Sequence, residues 1–257
     1  DIDISSKYHS DVCFFSATDG LSVVSATEDH ATEGVKMQRT LFYDRAEWLE
    51  HPLIVDIFRL ESDKIHSYDL PYYYGGHEVS LNFPYRKALT EMKALGKANG
   101  YQHLWVEAEG KNTESATTCF TFLQGDRFYS ISTATTPQTE LRMVRIGASD
   151  PNFNLRPDVG YIISCKAGNY TFASVIETHG TYDLQVEKTE KATSSVRSVT
   201  KTVDTKDYTV VRVEFEGGQA RNYCFANRNT SATAKHRVKA GERILEWTGF
   251  CDVKNEN

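Results

Sequence analysis

Histidine and cysteine are the side chains best suited to metal or nucleophilic chemistry, and their spacing in this chain supports neither. His9, His30, His51, His66, His77, His103, His179 and His236 are scattered, no two within four residues of each other. There is thus no H-x-H and no H-E-x-x-H to turn two imidazoles onto one ion. The cysteines are Cys13, Cys119, Cys165, Cys224 and Cys251, odd in number and far apart. Without a C-x-x-C or a short Cys/His spacing they indicate neither a zinc site nor a disulfide framework. Cys13, Cys119 and Cys224 sit beside Phe or Tyr in apolar runs and read as small buried hydrophobes. G-x-S-x-G, Walker and G-x-G-x-x-G loops are also missing. No residue is therefore assigned as catalytic or as a metal ligand.

Polar residues inside apolar runs are the remaining candidates. Asp56 and Arg59 interrupt Leu53 to Leu60, and charges in a buried strand are costly unless paired. Both are expected to be buried and paired, with each other or with nearby strand residues. Asn154, Arg156, Glu177 and His179 also stand among strong apolar neighbours and are expected to join Asp56 and Arg59 in structural polar contacts. Trp105 reads as core and His103 as a satisfied structural histidine. The run Tyr72-Tyr73-Tyr74 cannot face one side of a strand, so at least one ring should be accessible. Pro71 is expected to end or kink the strand before it, and Gly75-Gly76 to make a turn. Tyr72, Tyr73 and His77 would then sit at a sheet end, where rings can stack on sugars. They are the candidate substrate-binding residues.

The elements that must position these groups are strands. Val211, Val213 and Phe215 alternate with Arg212, Glu214 and Glu216, a period of two. Gly217-Gly218, Asp19-Gly20 and Gly125-Asp126 each separate two strand-like runs, which signals hairpins. The chain is expected to be all-β, a large antiparallel sandwich of several sheets forming a single domain over 1–257. At most one or two short helices are expected, one over Lys87 to Gly96, where Leu89, Met92 and Leu95 share a helical face. The polar stretch from Glu187 to Asp207 reads as exposed strand and loop. No repeat of solenoid or propeller period is visible.

Composition narrows the partners. The 257 residues are 40% hydrophobic and 25% charged, ordinary for a globular chain. The net charge of −6 argues against nucleic acid, and a polyanionic sugar would need local Arg or Lys to reverse the field. No apolar stretch is long enough for a membrane span. The opening Asp1-Ile2-Asp3-Ile4 carries no signal peptide and reads as the interior of a longer protein.

Four segments in order carry a resemblance. They are Val55-Asp56-Ile57-Phe58-Arg59 with His66 and Asp69-Leu70-Pro71, then Gly100 to Trp105, then Asp150 to Arg156, then Glu177-Thr178-His179-Gly180-Thr181-Tyr182. Together they resemble the C-terminal β region of the heparinase II/III-like polysaccharide lyases, and most of all the oligoalginate lyases of polysaccharide lyase family 17. The resemblance implies a bacterial, periplasmic or secreted enzyme with an N-terminal α/α toroid before the β domain. It also implies cleavage of uronate polysaccharide by β-elimination, in which a base takes the C5 proton and an acid serves the leaving oxygen. In that family the reacting residues come largely from the toroid, and a zinc-binding segment opens the β domain. The expectation is that this chain begins just after that segment, binds no cofactor itself, and serves as scaffold and cleft wall. Its partners would be the toroid and a uronate oligosaccharide or polysaccharide. The alternative is a free-standing carbohydrate-binding sandwich without catalysis.

Overall fold

The computed structural model describes residues 7–88, 90–112, 115–147 and 155–256. In chain order its strands are β1 (Asp11–Ala17), β2 (Leu21–Glu28), β3 (Lys36–Asp44), β4 (Leu53–Glu61), β5 (His66–Tyr74), β6 (His77–Leu81), β7 (Tyr85–Lys87) and β8 (Lys93–Ala94). There follow β9 (Leu104–Gly110), β10 (Thr117–Gln124), β11 (Arg127–Ala134), β12 (Glu140–Gly147), β13 (Leu155–Ala167), β14 (Tyr170–His179), β15 (Thr181–Asp183) and β16 (Lys188–Glu190). The last are β17 (Val196–Asp204), β18 (Tyr208–Phe215), β19 (Ala220–Ala226), β20 (Lys235–Ala240), β21 (Arg243–Thr248) and β22 (Cys251–Glu256). Two single-turn 3-10 helices, Tyr101–His103 and Glu216–Gly218, are the helical elements among the described residues.

These strands form layers. A central sheet of eight runs β1-β2-β3-β4-β14-β11-β10-β6, and an outer sheet runs β5-β13-β12-β9-β7 with β8 beside β9. A rear sheet runs β17-β18-β19-β22, and the hairpin β20–β21 caps it. Period-two alternation lets one strand serve two cores. Val55 and Ile57 of β4 pack with Val199, Val211, Val213 and Tyr223 of the rear sheet. On the opposite face Phe58 and Leu60 pack with Leu70, Met143, Tyr161 and Ile163 of the outer sheet. Val210 and Cys224 look the other way, onto Val238, Leu245 and Trp247 of the capping hairpin. Each fully buried side chain of this size stabilises the fold by roughly 1.5–3 kcal/mol. A sheet covered on both faces loses the alternating pattern, and β19 is buried at every position.

Three expectations are corrected. Lys87 to Gly96 is not helical: β7 ends at Lys87, β8 occupies Lys93–Ala94, and both pair with β9. Met92 and Leu95 lie half-buried in this irregular segment, and Leu89 is outside the described residues. Pro71 does not end β5, which runs through it to Tyr74 in unbroken register with β13. The strand lies at the edge of the outer sheet, where a residue without an N–H is tolerated. The stretch before Asp207 is less exposed than its polarity suggests, because Val196, Val199 and Val203 of β17 are all core residues.

Candidate functional site

The residues singled out by sequence divide between opposite faces of the central sheet. Asp56 is 1% exposed and turned toward the outer sheet. Its carboxylate accepts a forked pair from Arg39, Nε at 2.9 Å and Nη2 at 2.6 Å. The Tyr72 hydroxyl donates to Asp56 Oδ2 at 2.9 Å. Burial, reinforced by the Asp56 charge, pushes the Tyr72 phenol well above its ordinary value, so this group stays protonated. Arg59, three positions on, faces the rear sheet. It donates to Glu61 Oε1 at 2.9 Å and to the Thr205 carbonyl at 3.0 Å. Asp56 and Arg59 are thus both buried and paired, but with different neighbours.

Glu177 and His179 share the rear-facing side of β14. The Glu177 carboxylate accepts from Ser194 Oγ at 2.5 Å, from the Ser195 amide at 3.0 Å and from the Ser195 hydroxyl. His179 is held from both nitrogens, by Ser130 Oγ at 2.8 Å and the Lys191 carbonyl at 2.9 Å. Both therefore tie the approach to β17 onto the central sheet. Asn154, the side chain of Arg156 and the segment Asp150-Pro151-Asn152 lie outside the described residues.

Tyr72, Tyr73 and His77 do not make one surface. The Tyr72 hydroxyl points inward to Asp56, whereas Tyr73 is 57% exposed on the far side of β5, its ring against Gly160. His77 begins β6, opposite Leu123 of β10 in the central sheet, and is exposed. Around Tyr73 the outer sheet carries a polar cluster. Tyr101 Oη donates to Asp69 Oδ2 at 2.5 Å, Ser164 donates to Asp69 Oδ1, and Arg142 Nη1 donates to Ser164 Oγ at 2.7 Å. Trp105 is buried as expected, but His103 is exposed, its ring within hydrogen-bond distance of Gln102.

A cleft of about 600 Å³ opens where the ends of β2, β3 and β4 meet the rear sheet. Arg59 lines it, and Glu61 joins Arg59 to Arg228 at 2.8 Å. Lys36, His9 and His30 stand at its rim, Lys36 without an ion pair among the described residues. His9 lies 3.6 Å from Asp11, and His30 touches Asp29. Sequence reading passed over this cleft because its members come from separate strands, each an ordinary surface charge. It can hold a carboxylate at Lys36 and Arg228. Glu28, Asp29 and His30 also form a cluster of possible metal ligands. It does not fit a structural zinc site: Glu28 accepts the backbone N–H groups of His30 and Ala31 at 2.5 and 2.7 Å, and Asp29 and His30 are exposed. The bond from the His30 amide, foremost, holds the Glu28 carboxyl below its ordinary value.

Three of the five cysteines are poorly placed as nucleophiles. Burial pushes the Cys224 and Cys251 thiols up to about 12, and Cys165 is raised by the same cause. Thiols so placed are inert near neutral pH. The geometry thus provides polar groups that hold sheets together and a charged cleft that can bind.

No protein-family model matches the chain. Among characterised proteins, an exo-oligoalginate lyase of Saccharophagus degradans is 36% identical over 98% of this chain. An alginate lyase of Stenotrophomonas maltophilia is 32% identical over 93% of it. The chain spans about a third of the length of these relatives, 34% of the first and 32% of the second.

Proposed function

We propose that this chain, which is related to the oligoalginate lyase-like polysaccharide lyases, is the β-sheet part of such an enzyme and acts as scaffold and cleft wall. The observation that carries this reading is the state of its buried ionisable groups. Asp56, Arg59, Glu177 and His179 are each bonded to neighbouring strands or loops. A general base or acid must reach its substrate proton, and these four side chains spend their polar atoms on contacts within the sheets and loops. In this reading the reacting groups lie in polypeptide outside this chain, in keeping with its covering only about a third of its relatives.

In this reading the parent cleaves a uronate oligosaccharide or polysaccharide in the bacterial periplasm or outside the cell. An α/α toroid of the same polypeptide is the partner of this wall. Any zinc of the parent is held outside this chain. The cleft at Lys36 and Arg228 is the surface best suited to a sugar carboxylate. The test is to assay the purified chain on alginate and oligoalginate, following the unsaturated product, beside the longer parent. The chain is expected to show no turnover. Turnover comparable to the parent's, with contaminating lyase excluded, overturns the reading.

A further inference from the structure

The cleft at Lys36 and Arg228 continues past the residues described so far. A second cleft of about 670 Å³ adjoins it, lined on its far side by Ser62, Asn169, Tyr170 and Lys206. The two share Asp29, Lys36, Arg59, Glu61 and Arg228, so they are halves of one groove across the ends of β3 and β4. Each half has the size of a small-ligand pocket, and together they have room for an oligomer. The floor is Arg59, which is 7% exposed and whose Nε has no acceptor among the described residues. Buried donors are ordinarily paired, and an open one at a cleft floor points to an acceptor supplied from outside.

The same floor fixes a second cation. The Thr205 carbonyl accepts from Arg59 Nη2 at 3.0 Å and from Asn227 Nδ2 at 2.9 Å, and the Lys206 carbonyl accepts from Arg228 Nε at 3.3 Å. The backbone carrying Lys206 is therefore pinned to the groove, while its side chain is exposed and makes no ion pair among the described residues. Lys36 is unpaired in the same sense, in the stretch common to both halves. That stretch sets Lys36, Arg59 and Arg228 against Asp29 and Glu61, a positive excess in a chain of net charge −6. Glu61 lies between the two guanidinium groups, at 2.9 and 2.8 Å. In the first half Asp11 faces His9, and Glu28 is tied to backbone amides. In the second, Asp204 is offset by Lys201 at 3.8 Å, and Asp63 is exposed. The groove thus meets the requirement that a polyanionic sugar sets, a local reversal of the acidic field.

We infer that this groove binds a run of consecutive uronates, with one carboxylate at Lys36 and Arg228 and a further one at Lys206. A uronate chain carries one carboxylate per sugar, and separated cations on a fixed frame favour a ligand that reaches both. Asn169 accepts the Ser62 amide through its side-chain oxygen at 3.0 Å, which leaves its NH2 for a sugar hydroxyl. The inference rests on the reading of the cleft as a carboxylate site and extends it from one sugar to several.

Ligand-observed NMR titration of the purified chain with a uronate monosaccharide and an alginate-derived tetrasaccharide tests it. The tetrasaccharide should bind roughly tenfold more tightly, or better. Lys206→Ala should lower tetrasaccharide affinity severalfold and leave that of the monosaccharide unchanged, whereas Lys36→Ala should weaken both. Both lysines are exposed, so neither variant should shift the melting temperature. Equal affinity for one sugar and four, or a tetrasaccharide indifferent to Lys206→Ala, overturns the groove and leaves the single carboxylate site standing. Absence of binding by either sugar overturns both. Polyglutamate that binds as tightly as the tetrasaccharide also overturns the proposal, because charge alone would then be recognised. None of these results touches the scaffold reading, which fails if the chain itself turns over alginate.

Discussion

Asp56 shows how one buried charge can organise the junction of two sheets. Its carboxylate joins Arg39 of β3 to Tyr72 of β5, so it fixes the outer sheet against the central one. The partners differ in access to water: the Arg39 side chain is 45% exposed, that of Asp56 only 1%. Arg39→Ala leaves a buried carboxylate without its cation and should cost about 3–5 kcal/mol. Asp56→Ala lets Arg39 return to water and orphans only the Tyr72 hydroxyl, so its cost should be smaller, about 1–3 kcal/mol. Urea unfolding of the two variants checks the order. If both unfold like wild type, this junction is not held by the ion pair. Glu177→Ala removes the acceptor for Ser194 and Ser195 and should likewise destabilise the chain by about 1–3 kcal/mol. A wild-type unfolding midpoint for this variant would mean that the approach to β17 needs no such anchor.

At the scale of elements, the β5–β6 turn and the rear sheet make separate demands. Gly76 has φ of 89°, and a Cβ there would come 1.9 Å from the Leu123 carbonyl oxygen. Gly76→Ala should therefore destabilise by more than the 1–3 kcal/mol typical of backbone strain, about 3 kcal/mol or more, measured by thermal melting. A wild-type melt would show that the turn can relax. In the rear sheet Arg212 bridges Glu214 and Glu256. Burial raises the Glu256 carboxyl, but bonds from Asn222 and Arg212 outweigh it and leave the group below 4.5. The Ser198 hydroxyl and then Arg212 hold Glu214 below 4.5 as well. Carboxylates lowered on folding add stability that is present above 4.5 and lost as pH falls through the lowered values. Arg212→Met should thus melt below wild type at neutral pH, with the gap closing as pH falls through the lowered values. A gap independent of pH would rule out these ion pairs as its source.

Period-two runs and glycine turns made most of this architecture legible in advance. Asp19-Gly20 and Gly125-Asp126 do lie between paired strands. What local pattern could not reveal is how many layers share a sheet. β17 reads as a polar surface strand, yet Val196, Val199 and Val203 serve two cores on its opposite faces. Lys87 to Gly96 has helical spacing, but pairing with β9 decides its backbone. Tyr72 and Tyr73 separate for the same reason: neighbouring residues of one strand face opposite sides, and only the sheet order says which side is buried.

For the molecule as a whole, the four sheet layers account for nearly every buried charge that the sequence made conspicuous. The cleft at Lys36 and Arg228 went unseen because it depends on strands far apart in sequence meeting at one end. The central claim is that this part supports a reaction whose reacting groups lie elsewhere in the parent. Its most direct test is complementation. The remaining part of the parent is prepared separately, and unsaturated product is followed on oligoalginate with and without the purified chain. No turnover is expected from the chain alone, and turnover from the other part should rise when the chain is added. Steady turnover by the chain alone, equal to that of the intact parent, would contradict it.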